Sequence, residues 1–230
     1  MRTGFSQIGN NWAAVTFNQI APKDDAGRPQ PNKVFSESDK KLIVNGILNA
    51  CDANDGLKDG MVFNTRACKF DPEVLTCKGA KTDACLTSQQ AGALKKAFAG
   101  PRNSKGDLVY PMNAYDAGIT NLLPSSNPPA AGATTPPVSI DVDQRLFSLL
   151  GNPLEAVTDT TWTNLSSFSA HGGKLLFYHG MSDQVLRDGY PRLLHQDGQG
   201  QRWCGPGSEL EPHVPRPGHV PLPGRRVRTG

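Results

Sequence analysis

The sequence predicts an α/β protein that carries a loop-rich, disulfide-stapled unit beside its sheet. Three observations lead there. Leu175-Leu176-Phe177-Tyr178, following Lys174, is a continuous apolar run entered from Gly172-Gly173 and left at His179-Gly180. Such a run is what a strand buried on both faces of a parallel sheet requires. Several earlier stretches combine helical spacing with capping residues. Finally, Cys51, Cys68, Cys77 and Cys85, four of the five cysteines, crowd into a segment rich in turn-forming residues.

The elements follow in chain order. Ser36 or Ser38 caps a helix that carries Leu42, Ile43, Ile47 and Leu48 on one face and ends at Cys51. Thr87 and Gln90 form a capping box, and residues 91–99 read as helix until Gly100-Pro101 stops them. Residues 124–137, with their prolines, serines and threonines, are too stiff and too polar for a core and read as a linker. Residues 145–150 predict a short helix. The strand at 174–178 then places its carboxyl end where α/β enzymes keep their chemistry. Asp183, just beyond Gly180, stands where a catalytic acid would orient a histidine, although an aspartate in a turn is also a common structural residue.

The segment richest in chemistry is Cys51-Asp52-Ala53-Asn54-Asp55-Gly56-Leu57-Lys58-Asp59-Gly60-Met61. Asp52, Asp55 and Asp59 share one short loop that Gly56 and Gly60 bend. Carboxylates so close repel one another unless a cation lies between them, and hard oxygen donors on a flexible backbone are what Ca²⁺ selects. A solvated pair of Asp-Gly turns is the alternative reading.

Composition bounds the rest. Hydrophobic residues make up 37% of 230 residues and the mean hydropathy is −0.44, which allows one large domain or two small ones with a modest core. A net charge of +3 is too small to imply nucleic acid or an anionic membrane as a partner. No apolar run is long enough for a membrane span, and no apolar stretch follows Met1-Arg2-Thr3-Gly4 to make a signal peptide. Four clustered cysteines permit three pairings and point to an oxidising compartment, while zinc lacks both a Cys-x-x-Cys pair and a nearby histidine.

Taken together, these residues resemble the tannase and feruloyl esterase family of secreted α/β-hydrolase serine esterases. The likeness begins at Asn10-Asn11-Trp12 and runs through the acidic loop, Arg66-Ala67-Cys68, Cys77-Lys78-Gly79, Cys85-Leu86-Thr87 and Ala99-Gly100-Pro101-Arg102. It closes with Gly172-Gly173-Lys174-Leu175-Leu176 and Tyr178-His179-Gly180-x-x-Asp183. The resemblance implies a partial α/β-hydrolase fold with a calcium-binding lid domain. It also implies calcium held by the side chains of Asp52, Asp55 and Asp59 and the carbonyls of Leu57 and Met61. Disulfides Cys51–Cys68 and Cys77–Cys85, and Asp183 as the acid of a Ser-Asp-His triad, are implied in the same way. The expected substrate is a small phenolic ester, the expected location secreted or periplasmic. Residues 1–150 would be mostly lid, 151–184 a remnant of the hydrolase core.

Two parts of the family pattern are missing. No Gly-x-Ser-x-Gly turn is present, since Gly4-Phe5-Ser6-Gln7-Ile8 fails at its last position, so the nucleophile is expected upstream of Met1. The family's closing Val-Pro-Gly-Met-x-His-Cys-x-Gly-Gly is also absent. Read one base out of register, however, Val214 to Arg226 can encode Phe-Leu-Val-Pro-Gly-Met-x-His-Cys-Arg-Gly-Gly, and Gly189 to Gly198 can encode Asp-Thr-Leu-Asp-Tyr-Tyr-Thr-Lys-Met. The hypothesis is a frameshift near Gln184 or Val185, with 185–230 an out-of-frame, disordered tail; codons unable to spell those residues would refute it. On that reading His213, His219 and Cys204 are incidental, His179 supports its turn, and no base is assigned. The alternative to an inactive piece of an esterase is a non-catalytic calcium-binding lid fragment.

Overall fold

The computed structural model describes residues 3–65, 67–110, 114–125, 127, 135–154 and 165–174. Five α-helices lie within them: α1 (Thr3–Ile20), α2 (Glu37–Cys51), α3 (Ser88–Ala99), α4 (Val142–Leu150) and α5 (Ser166–Ala170). Short 3₁₀ turns stand at Pro31–Lys33, Asp52–Asp55, Pro72–Leu75 and Ile119–Asn121. Among the described residues β-pairing is limited to isolated bridges, Lys23 with Pro29, Thr76 with Leu86 and Arg102 with Leu108. The strand expected at 174–178 lies outside the described residues beyond Lys174, as do Asp183 and the whole tail from 185 to 230.

Helix α2 starts at Ser36, not Ser38. The Ser36 hydroxyl accepts from the Asp39 amide at 3.1 Å while the Asp39 carboxylate accepts from the Ser36 amide, a complete capping box. Of its buried residues, Asp39, Ile43, Ile47 and Cys51 recur every fourth position, one stripe along the helix, with Lys40 beside it. Gly46 sits where α2 meets the Pro72–Leu75 turn: a Cβ there would lie 3.1 Å from Phe70 Cε2 and 3.2 Å from Leu75. Helix α3 begins at the expected Thr87–Gln90 capping box and ends at Gly100. It buries Ala91, Ala93, Leu94, Ala97 and Phe98, and each large side chain so buried contributes roughly 1.5–3 kcal/mol.

Helix α1 has no counterpart in the sequence-based expectations. It packs chiefly against α3 and also against α4. Ala13, Phe17 and Ala21 join the main core, where Phe17 meets Phe35 edge-on at 5.5 Å. Ile8 and Trp12 form a smaller cluster with Val142 and Leu149 of α4. The Trp12 indole N–H donates to the Lys96 carbonyl at 3.0 Å, fastening the two helices. At the far end Asn18 and Gln19 donate to the carbonyls of Pro137 and Val138, so the end of the expected linker is held against α1. Helix α4 starts three residues before the expected Arg145 because the Asp141 carboxylate caps the Gln144 amide at 2.9 Å.

Tyr115 closes the core from the other side, stacked on Phe98 with centroids 5.0 Å apart and edge-on to Phe70 at 5.2 Å. Burial pushes its phenol above the ordinary value of 10.0, and the Asp71 carboxylate adds to the effect.

Candidate functional site: the acidic loop and its disulfide frame

The chain leaves α2 directly into the acidic loop. Asp52 to Asp55 form a 3₁₀ turn, and the Gly56 amide closes it on the Ala53 carbonyl at 3.1 Å. Gly56 then adopts φ 95° and Gly60 φ 81°, conformations that side-chain-bearing residues rarely take. These two positions are why the loop reverses instead of extending.

Each carboxylate organises a part of the loop. Asp52 Oδ1 accepts from the amides of Asp59 at 3.3 Å and Gly60 at 3.2 Å, tying the start of the loop to its end. Asp55 accepts from Leu57 at 3.0 Å and, through its other oxygen, from Phe63 at 3.2 Å. Asp59 accepts from Met61 at 3.1 Å. Among the described residues the carbonyl oxygens of Leu57 and Met61 accept no hydrogen bond, and no lysine or arginine is paired with the three aspartates. The side chains of Leu57 and Met61 are exposed.

The disulfides frame this loop. Cys51, 1% exposed within the core, is bonded to Cys68 across 17 positions of sequence. Closing a loop of that size restricts the unfolded chain by about 3 kcal/mol. Val62, also buried in the core, anchors the other side. Cys77 and Cys85 form the second bridge, and the loop they close is partly exposed at both sulfur-bearing residues.

The structure thus gathers Asp52, Asp55, Asp59, Leu57 and Met61 in one loop. It does not bring the carboxylates to a common point: among the described residues no three His, Cys, Asp or Glu side chains group closely enough to hold a metal ion. By chemistry the donor set still suits a hard cation, being wholly oxygen. Carboxylate oxygens carry two lone pairs each, so accepting from an amide leaves capacity for a second partner. A groove of about 760 Å³ lies elsewhere, along the first half of α2 and the Ile119–Asn121 turn. Glu37, Lys41, Asn45 and Thr120 are among its lining residues, and no histidine is.

Sequence reasoning missed a second polar centre. Asp39, 3% exposed, accepts from Lys81 Nζ at 2.6 Å, from Gln90 Nε2 at 3.0 Å and from the Ser36 amide at 3.1 Å. Gln90 also donates to the Val34 carbonyl at 2.6 Å. The two capping boxes are therefore joined to each other and to the Cys77–Cys85 loop. Burial pushes the Asp39 carboxyl up, but the Lys81 ammonium, the Ser36 amide and the Gln90 amide together hold it below its ordinary value.

Comparison with known proteins places this arrangement. The sequence profile of the tannase and feruloyl esterase family matches residues 9–135. A mono(2-hydroxyethyl) terephthalate hydrolase of Piscinibacter sakaiensis is 35% identical over an alignment covering 78% of this chain and 41% of that protein. A probable feruloyl esterase B-2 of Aspergillus terreus is 27% identical over 74% of this chain and 34% of its own length. The crystal structure of feruloyl esterase B from Aspergillus oryzae superposes with a TM-score of 0.59 at 20% identity, covering 83% of this chain and 40% of that one. This chain spans about two fifths or less of the length of these relatives. It belongs to the tannase and feruloyl esterase family.

Proposed function

We propose that this chain is part of a carboxylic ester hydrolase acting on small phenolic esters by a Ser-Asp-His mechanism. The observation that carries the reading is the family match over residues 9–135 together with hydrolases and esterases among its relatives. Residues 1–150 are mostly lid, residues 151–184 belong to the hydrolase core, and residues 185–230 are read out of frame. Asp183 is the acid that orients the histidine and stabilises its charged form. Neither the nucleophile nor the base is assigned to a residue of this chain. Removing triad members lowers rate by orders of magnitude, so the purified polypeptide alone should hydrolyse methyl ferulate or a p-nitrophenyl ester no faster than buffer. Turnover well above buffer would overturn that part of the reading.

The acidic loop is the proposed calcium site, with side-chain donors Asp52, Asp55 and Asp59 and the carbonyls of Leu57 and Met61. The all-oxygen donor set, the absence of a paired lysine or arginine among the described residues and the two unused carbonyls support it. Bound there, the ion would neutralise three clustered carboxylates and fix the loop in one conformation. The two disulfides support an extracellular or periplasmic location. Thermal melts with calcium and with EGTA test the site: a higher melting temperature with calcium is expected, and identical melts would remove it. The second reading, a non-catalytic lid fragment, expects the same calcium-stabilised, catalytically silent chain; an upstream frame encoding Cys-Ser in a Gly-rich turn would favour the esterase over it.

A further inference from the structure

We propose that the Cys77–Cys85 disulfide is a reducible latch that holds its loop against the joined N-termini of α2 and α3. Reduction releases that loop without touching the Cys51–Cys68 disulfide.

The loop is secured differently at its base and at its tip. At the base, the Cys77 amide donates to the Leu86 carbonyl and the Leu86 amide to the Leu75 carbonyl, both at 2.8 Å, with Leu86 fully buried. Residues 78–84 are exposed. From them, two side chains reach across to α2. Lys81 Nζ donates to Asp39 Oδ1 at 2.6 Å, and Asp83 Oδ1 accepts from the Ser38 hydroxyl at 2.9 Å. Lys81 also donates to the carbonyl of Thr82 at 2.7 Å, which fits its ammonium to this loop conformation. The covalent bridge limits how far the tip can depart, so these two contacts depend on it.

The partners are unequal in what they lose. Lys81 is 32% exposed at its side chain and returns to water readily; Asp39 is 4% exposed and does not. Without Lys81 the Asp39 carboxylate keeps only the Ser36 and Gln90 donors, leaving a buried charge with no counter-ion where two helices begin. Opening the loop therefore loosens a junction in the core, not just the surface.

The two disulfides also differ in access. Cys68 is as partly exposed as Cys77 and Cys85, but attack on it must expel the Cys51 thiolate into the core, where Cys51 is 1% exposed; at the other bridge both cysteines are partly exposed. A soluble dithiol thus cleaves the Cys77–Cys85 bridge first, because neither of its thiolates leaves into the core. One reductant thiolate attacks a cysteine sulfur and displaces the other as thiolate. The second reductant thiol then resolves the mixed disulfide, so two electrons and two protons pass to Cys77 and Cys85 and the reductant leaves as its cyclic disulfide.

The test uses the full 230-residue chain with free thiols, Cys204 included, blocked beforehand. Dithiothreitol is titrated, new thiols are trapped with N-ethylmaleimide, and labelled peptides are identified by mass spectrometry. Cys77 and Cys85 should label at a reductant concentration at least about tenfold below that needed for Cys51 and Cys68. Simultaneous or reversed labelling overturns the proposal. In the selectively reduced protein, tryptic cleavage after Lys81 should accelerate at least about tenfold, since cleavage follows the open population; an unchanged rate overturns it. Coupling to Asp39 is read with Lys81→Met. The drop in melting temperature on selective reduction should be measurably smaller than the wild-type drop, because the loop-closure share is common to both and only wild type also loses the Lys81–Asp39 contact. Equal drops overturn the coupling.

Discussion

Asp39→Asn removes a charge while keeping the shape of the side chain, and its consequence can be worked through. One carboxylate oxygen receives Lys81, the other receives Ser36 and Gln90. An amide supplies one acceptor and one donor, so whichever way it turns, an N–H faces either the ammonium or the two amides. A hydrogen bond to a charged group contributes about 1.5–3 kcal/mol. Relief of the buried charge offsets some of that, leaving an expected loss of about 2 kcal/mol at pH 7. For a chain of this size that corresponds to a fall of roughly 4–8 °C in melting temperature.

The pH dependence gives the sharper assay. The folded carboxyl titrates below its ordinary value of 3.8, so its stabilisation is fully present above that value and is lost as the pH falls through the lower folded one. The charged groups around it are Lys81 on the disulfide loop, Asp83 beside it, and Glu37 with Lys40 on α2, themselves paired at 3.2 Å. Urea unfolding of wild type and Asp39→Asn should differ most near neutrality and converge in strong acid. Equal stability at pH 7, or a gap that stays constant from pH 6 into strong acid, would refute the reasoning.

Other outcomes follow from the packing. Phe98→Ala deletes a ring that is 1% exposed and stacked on Tyr115, and should cost about 3–5 kcal/mol in urea unfolding; a change under about 1 kcal/mol would contradict the core as described. Gly46→Leu gains about 1 kcal/mol of helix propensity but forces a side chain against Phe70 and Leu75, so a net loss of about 1–2 kcal/mol is expected from thermal melts. Burial raises the Tyr115 phenol, so its stabilisation holds below pH 10.0 and is lost as the pH rises beyond. Tyr115→Phe should flatten the alkaline limb of a stability profile; an unchanged limb would show that another group sets it.

What could be read from the sequence was what local chemistry determines. Ser36, Thr87 and Gln90 announced the starts of α2 and α3 because capping depends on residues three apart. Helix α1 was not foreseen: it has no acidic first turn or basic last turn, and it contains Gly4, Gly9 and paired asparagines. Its stability comes from the faces it buries on α3 and α4, and the available signal was the four-residue spacing of Ile8 with Trp12 and of Ala13 with Phe17. The Asp39–Lys81–Gln90 centre was equally hidden, since its members are brought together only when both helices and the disulfide loop have packed. The acidic loop was visible as a cluster of carboxylates, yet sequence spacing alone did not indicate that each would first serve neighbouring backbone amides.

The acidic loop is an excursion between two fixed points, Cys51 at 1% and Val62 at 5% exposure, and everything between them lies outside the core. Side chains such as Ala53 and Lys58, which neither bond the loop's amides nor set its turns, can therefore be exchanged without altering how α2 packs. In engineered variants, those exposed positions are where new recognition can be tried at small cost to folding. The cysteine and the valine at its two ends, the two glycines that turn it and the three aspartates that bond its amides are the positions that must stay.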